Sequence, residues 1–288
     1  MAGYRIPVLM KRSTTSKWVL GLITTLAVLF LFLPLVVVVA FSFNAGSFAF
    51  LWGGFSTAAY SQATQDSTLL IALRISLEVA ATTGVLSMAV GLIGGLASTG
   101  RGWSHRLLFL LFVVILATPE IVGASGDLLW FVTLGLSNGF LRLVIAHSIF
   151  GSALTALIVR GRALGLDPEV FEASNDLGAR TFTMLRTIAV PLLAPALIAG
   201  GLLSFTFSLE DLVTSVFVST AQTTPLPVFI LASLHSQFHT DIFAIAVFIF
   251  AATTALFIVA LVVMGGGSRS RMRRGLRMLG TNHAEELA

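Results

Sequence analysis

The chain has 288 residues, of which 56% are apolar and only 10% charged, with a mean hydropathy of +0.96. That leaves too little polar surface to cover a water-soluble globule and places the chain in a lipid bilayer. The absence of cysteine excludes a disulfide framework, a thiolate metal site and a cysteine nucleophile, and the arginines behind the net charge of +4 flank apolar stretches without any recognition element for nucleic acid.

Residues 1–17 form a polar N-terminal segment carrying Arg5, Lys11, Arg12 and Lys17. From Trp18 to Phe43 no residue is charged, and about 20 apolar residues suffice to cross the hydrocarbon core. This is the first expected span, and it is longer than the roughly 7 to 15 residues of a cleavable signal core. Further spans are expected at 75–97, 107–134, 143–159, 192–218 and 242–264, with Pro34 and Pro119 interrupting the first and third. The expected fold class is therefore all-α, a polytopic membrane protein with six transmembrane helices in one domain, 18–264, followed by a basic tail, 265–288.

Basic residues alternate with the spans in a consistent way. The N-terminal group, Arg101 with Arg106, Arg160 to Arg186, and Arg269 to Arg277 all fall on one side, which the positive-inside rule makes cytoplasmic. Both termini then lie inside, and the outer segments 44–73, 135–141 and 219–241 carry no Lys or Arg. Trp52, Phe55, Tyr60, Trp103 and Trp130 read as interfacial anchors. Gly91 and Gly95, and Ala196, Gly200 and Gly201, mark faces where helices are expected to approach closely.

Five carboxylates fall inside or beside the spans: Glu78, Glu120, Asp127, Glu210 and Asp211. Counted along the helical rise they converge on the outer half of the membrane, where only Arg74 and Arg142 are present to neutralise them. Intramembrane ionisable groups face a cavity or a partner. The surplus of negative charge describes an outward vestibule that attracts cations and repels anions, with these five acids lining the substrate path; the alternative is that they pair with arginines and only hold helices together. His235 and His239, followed by Asp241, supply two imidazoles without a placed third ligand, so no metal and no cofactor is assigned. Neither a nucleophile motif nor a GxxxxGK[ST] phosphate loop occurs.

The cytoplasmic segment 160–191 is the most informative one. Asp167, Glu169 and Glu172 favour the start of a short helix, Gly178 permits a left-handed turn, and Pro191 is read as the start of the next span. A compact helical knob results, with Leu177, Ala179, Phe182 and Leu185 offering apolar contacts and Arg180 and Arg186 charge at the rim.

The order Glu172-Ala173-Ser174, Gly178, Ile188 and Pro191 resembles the EAA loop of ABC importer permeases. Leu73-Arg74-Ile75-Ser76-Leu77, Pro119-Glu120-Ile121-Val122, Ala146-His147, Ser208-Leu209-Glu210-Asp211, Thr223-Thr224 and Leu226-Pro227 are similar to the spermidine/putrescine-type members, from residue 73 to the end of the sixth span. The resemblance implies a type I ABC importer permease fold in the bacterial cytoplasmic (inner) membrane. It implies a translocation subunit, itself no enzyme, for a polyamine or related small cation, with a second permease subunit and an external substrate-binding protein. ATP is then hydrolysed by a separate ATPase dimer docked on Glu172, Ala173, Asp176, Leu177, Gly178, Ala179, Arg180 and Pro191. Ser174, Val190, Ile75 and the inserted Pro225 depart from the family pattern. A competing reading, an ion-coupled secondary carrier using the outer acids, calls for two related halves that this chain does not display.

Overall fold

The structure, a computed structural model, describes residues 14–46, 51–236, 243–251, 253–255 and 258. They fall into two compact units, residues 1–63 with 238–248, and residues 64–237 with 249–288.

In the first unit, helix α1 (Thr14–Phe41) is apolar on every side and exposed on every side, as befits a helix whose surroundings are lipid or another membrane helix. Pro34 lies inside it without interrupting it, contrary to the sequence expectation. A proline removes only one backbone donor, and in hydrocarbon the remaining helical bonds have no water to compete with them. Beyond α1 the chain turns on Asn44, whose Oδ1 accepts from the N–H groups of Gly46 (3.0 Å) and Gly53 (2.7 Å) while Nδ2 donates to the Leu51 carbonyl (2.8 Å). The ring of Phe43 stacks on Phe55, and Ser42 Oγ bonds the Tyr60 hydroxyl of the short helix α2 (Ala58–Gln65) at 2.8 Å. Tyr60 is therefore a strut of this turn, whereas Trp52 and Phe55 remain exposed.

The second unit is built on three long helices: α3 (Ser67–Ala97), α6 (Gly139–Ala163) and α9 (Val190–Glu210). Asp66 caps α3 by accepting from Thr68 and Leu69, and Asn138 caps α6 through Leu141. Helices in lipid gain little from apolar burial, so they associate through small residues that let backbones touch. Here a Cβ on Gly95 would meet the Ala156 carbonyl at 2.7 Å, and one on Gly200 would meet Thr155 Cγ2 at the same distance. The sequence expectation of close approach at Gly91, Gly95, Gly200 and Gly201 is met at this interface. Ser204 satisfies its hydroxyl within reach of the Gly151 and Gly200 carbonyls.

The expected third span is two helices, α4 (Trp103–Ala117) and α5 (Glu120–Thr133), bent by 105° at Thr118 and Pro119. Pro119 forces Thr118 into extended backbone, so α4 cannot run through it, and Pro119 itself then opens the first turn of α5. The expected fifth span likewise ends early, at Glu210. Asp211 is extended, its Oδ1 accepts from the Thr214 N–H at 2.8 Å, and the short helix α10 (Val213–Val218) follows. Helix α10 packs on α5 and α6. Helix α11 (Leu226–Ser236) is tied to α3 by the buried Leu226 N–H donating to Ser76 Oγ at 2.7 Å.

Four described helices are long and apolar enough to cross a membrane, and five if the bent α4–α5 pair is one span. Of the expected sixth span, 243–251, 253–255 and 258 are helical, and its other residues and the basic tail lie outside the described residues.

Candidate functional site

Two regions carry chemistry. In the segment expected to be cytoplasmic, helix α7 (Pro168–Asp176) begins with Asp167 accepting from the Glu169 N–H and with Pro168 at the first helical position, where its missing donor costs nothing. It ends as a Schellman turn: Gly178 takes φ +72° and the Ala179 N–H reaches back to the Ser174 carbonyl at 3.1 Å. The turn leaves Leu177 87% exposed and Phe182 75% exposed, an apolar pair presented outward from a polar segment. Glu172, Ala173, Asp176 and Arg180 are exposed beside them.

The path into the membrane differs from the sequence reading at one point. Pro191 does not begin the next helix. The helical path starts at α8 (Thr181–Met184), passes through a π-turn, Leu185–Ala189, and continues into α9. A proline at 191 leaves the Thr187 carbonyl without its usual donor and crowds it, and a wider turn just ahead relieves both. Arg160 and Arg162 belong to the last turn of α6, where positive charge suits the helix dipole, and Arg160 lies over the Phe109 ring at 4.5 Å.

Deeper in the membrane, a cavity of about 280 Å³ is bordered by Thr118, Glu120 and Asp127 of the α4–α5 segment, Phe150 of α6, Phe207 of α9 and Thr214 of α10. Glu120 and Asp127 both line it, two turns apart on α5. Phe150 and Phe207, which also line the cavity, stack with centroids 4.1 Å apart. Asp211 is buried, its carboxyl within hydrogen-bonding reach of Glu120. Its neighbour on the other side is His147, whose Nε2 lies 3.5 Å from Asp211 Oδ2 and 3.3 Å from Ser215 Oγ, and whose Nδ1 lies 2.7 Å from Ser208 Oγ.

The five acids named from sequence thus divide. Glu120, Asp127 and Asp211 come together. Glu78 is held by Arg74 at 2.7 Å on the exposed side of α3, and Glu210 is exposed at the end of α9; neither borders the cavity. Arg142 donates to the Leu136 carbonyl. His239 and Asp241 lie outside the described residues. Sequence reasoning named His147 only as part of the family resemblance and gave it no role, and it passed over Phe150, Phe207 and Ser215. A histidine midway along an apolar span was a visible signal, whereas the two phenylalanines were hidden among 21 others of their kind.

A polytopic helical protein with a small-residue core, a broken helix pair and an acid-lined cavity is a membrane permease. Residues 87–274 match the family described as the binding-protein-dependent transport system inner membrane component, and the chain belongs to that family. It is 31% identical over 252 residues, 85% of this chain and 90% of the other, to the putrescine transport system permease protein PotI of Escherichia coli K12. It is 33% identical over 234 residues, 80% and 90% of the two chains, to the spermidine/putrescine transport system permease protein PotC of Haemophilus influenzae. Among solved structures, a chain of a bacterial ABC transporter involved in the import of the acidic polysaccharide alginate superposes with a TM-score of 0.69 at 12% identity, covering 86% of this chain and 94% of that one. The fold is that of an ABC importer permease.

Proposed function

We propose that this chain is the translocation subunit of an ATP-driven importer in the bacterial cytoplasmic membrane, with both termini cytoplasmic, and that its cargo is a polyamine or a related small cation. The observation that carries the cargo class is the placement of Glu120 and Asp127 in one cavity with stacked Phe150 and Phe207. Carboxylates bind ammonium groups through charge-assisted hydrogen bonds, and phenyl faces favour both cations and the methylenes between them. The same lining repels phosphate, sulfate and carboxylate solutes. The two relatives named for putrescine and spermidine transport support this reading.

The elbow from α7 to the π-turn is the docking lever for a separate ATPase dimer. Glu172, Ala173, Asp176, Leu177, Gly178, Ala179 and Arg180 meet the motor, and Pro191 passes its movement into α9. A second permease subunit and an external substrate-binding protein complete the importer. The test is reconstitution of the assembled transporter in vesicles with radiolabelled putrescine or spermidine. ATP-dependent uptake supports the proposal, whereas uptake by this chain alone down an ion gradient, or a preference for anionic solutes, would sink it.

A further inference from the structure

We infer that His147 is the positioning residue of the cation path: from α6 it holds the Asp211 carboxyl in place beside Glu120, and through Asp211 it fixes α10 and the acid-bearing α5. This rests on the cargo reading above but concerns a residue with no direct contact to the cavity. His147 is 1% exposed, far from water, and every ring nitrogen has a polar neighbour. Asp211 Oδ2 is buried, and the imidazole Nε2 lies 3.5 Å from it. The tautomer that suits these neighbours has Nδ1 accepting from the Ser208 hydroxyl and the Nε2 proton facing Asp211 and Ser215. Ser208 belongs to α9, His147 to α6, and Asp211 caps α10 through the Thr214 N–H. One side chain therefore joins the rigid three-helix core to the pair α10 and α5, whose own attachments to that core are flanked by breaks at Pro119 and at Asp211.

Amide side chains separate this role from simple space filling. The glutamine amide nitrogen occupies the place of histidine Nε2 and retains the bond to Asp211. The asparagine amide reaches only the place of Nδ1, keeping Ser208 and losing Asp211. In the assembled transporter, His147→Asn is expected to raise the half-saturation concentration for putrescine about tenfold, the factor for one lost hydrogen bond to a carboxylate. The maximal rate is retained, and His147→Gln restores the wild-type half-saturation.

A second readout needs no cargo. The chain has no cysteine, and a Cβ at Gly123 of α5, which lines the cavity, meets nothing within 4 Å, so Gly123→Cys is a single tolerated reporter. Its modification rate by a thiol-reactive probe is expected to change with His147→Asn and to stay unchanged with His147→Gln. If putrescine is not the cargo, the uptake arm fails while the labelling arm still reports on His147. Equal behaviour of the Asn and Gln variants in labelling overturns the inference. Should His147→Asn not assemble, Asp211→Asn removes the same contact from the other side, and a further change in labelling when His147→Gln is added to it would count against the inference as well.

Discussion

Glu120 and Asp127 stand on one face of α5 and line the same cavity, separated along the helix axis by two turns, about 10 Å. Two carboxyl groups at that separation distinguish a solute with two ammonium groups from one with a single group. Glu120→Gln and Asp127→Asn are each expected to raise the half-saturation concentration for a diamine about tenfold or more, since each removes a charge-assisted hydrogen bond of roughly 1.5 to 3 kcal/mol. Uptake of a monoamine, which engages one acid at a time, is affected by only one of the two changes. Competition assays with putrescine and butylamine in reconstituted vesicles check this, and equal loss for both amines in both variants would contradict the two-point arrangement.

Gly178 holds the left-handed conformation that ends α7, at φ +72°. A β-branched side chain in that region costs about 1 to 2 kcal/mol or more, enough to unwind a surface turn that has little else to hold it. Gly178→Val is expected to leave membrane insertion intact and to reduce ATP-dependent uptake at least tenfold while ATP hydrolysis by the partner continues. Gly178→Asn, a residue that tolerates the conformation, is expected to retain most of the uptake. The ratio of solute transported to phosphate released is the measurement, and an unchanged ratio in the valine variant removes the turn from the coupling path.

The sequence made some of this visible and concealed the rest for identifiable reasons. Charge-free runs and the alternation of arginines locate spans because lipid imposes a simple length and polarity rule, and Gly178 was legible because few residues besides glycine adopt that turn. The 105° break at Pro119 was not legible, since the apolar run continues through it and a proline alone does not set an angle. Counting rise along each span put Glu78 level with the other acids but gave no rotation about the helix, and it is rotation that leaves the Arg74–Glu78 pair on the exposed side of α3 and turns Asp127 toward the cavity. The π-turn before Pro191 is a response to backbone crowding that no side-chain pattern announces.

The core formed by α3, α6 and α9 leaves no room at its glycines. A Cβ at Gly95 would meet the Ala156 carbonyl and the Val159 side chain within 2.8 Å, and the carbonyl belongs to a rigid helix that cannot turn aside. Gly95→Val is expected to destabilise the protein by about 1 to 3 kcal/mol through overpacking. Gly161→Val offers the contrast, since a Cβ there meets nothing within 4 Å. Thermal unfolding in detergent, followed by loss of the monodisperse peak, is expected to show a lowered midpoint for Gly95→Val and a much smaller change for Gly161→Val. Equal midpoints would mean that the helices pack with more slack than their backbones indicate.

The Leu226 N–H is buried, and Ser76 Oγ of α3 accepts its hydrogen bond across 150 positions of sequence. Leu226 opens α11, so this bond ties the start of that helix to the core, and no water is at hand to replace the acceptor if it is removed. Ser76→Ala is expected to cost about 1 to 3 kcal/mol, the penalty of a buried donor left unsatisfied. Thr24 is the fitting control, because its hydroxyl bonds only the Leu20 carbonyl of its own helix and is exposed. Hydrogen exchange at the Leu226 amide gives a local measurement: faster exchange in Ser76→Ala, with unchanged exchange at the centre of α6, is the expected result. Unchanged protection at Leu226 would show that the packing of α11 on α3, and not this bond, holds the two together.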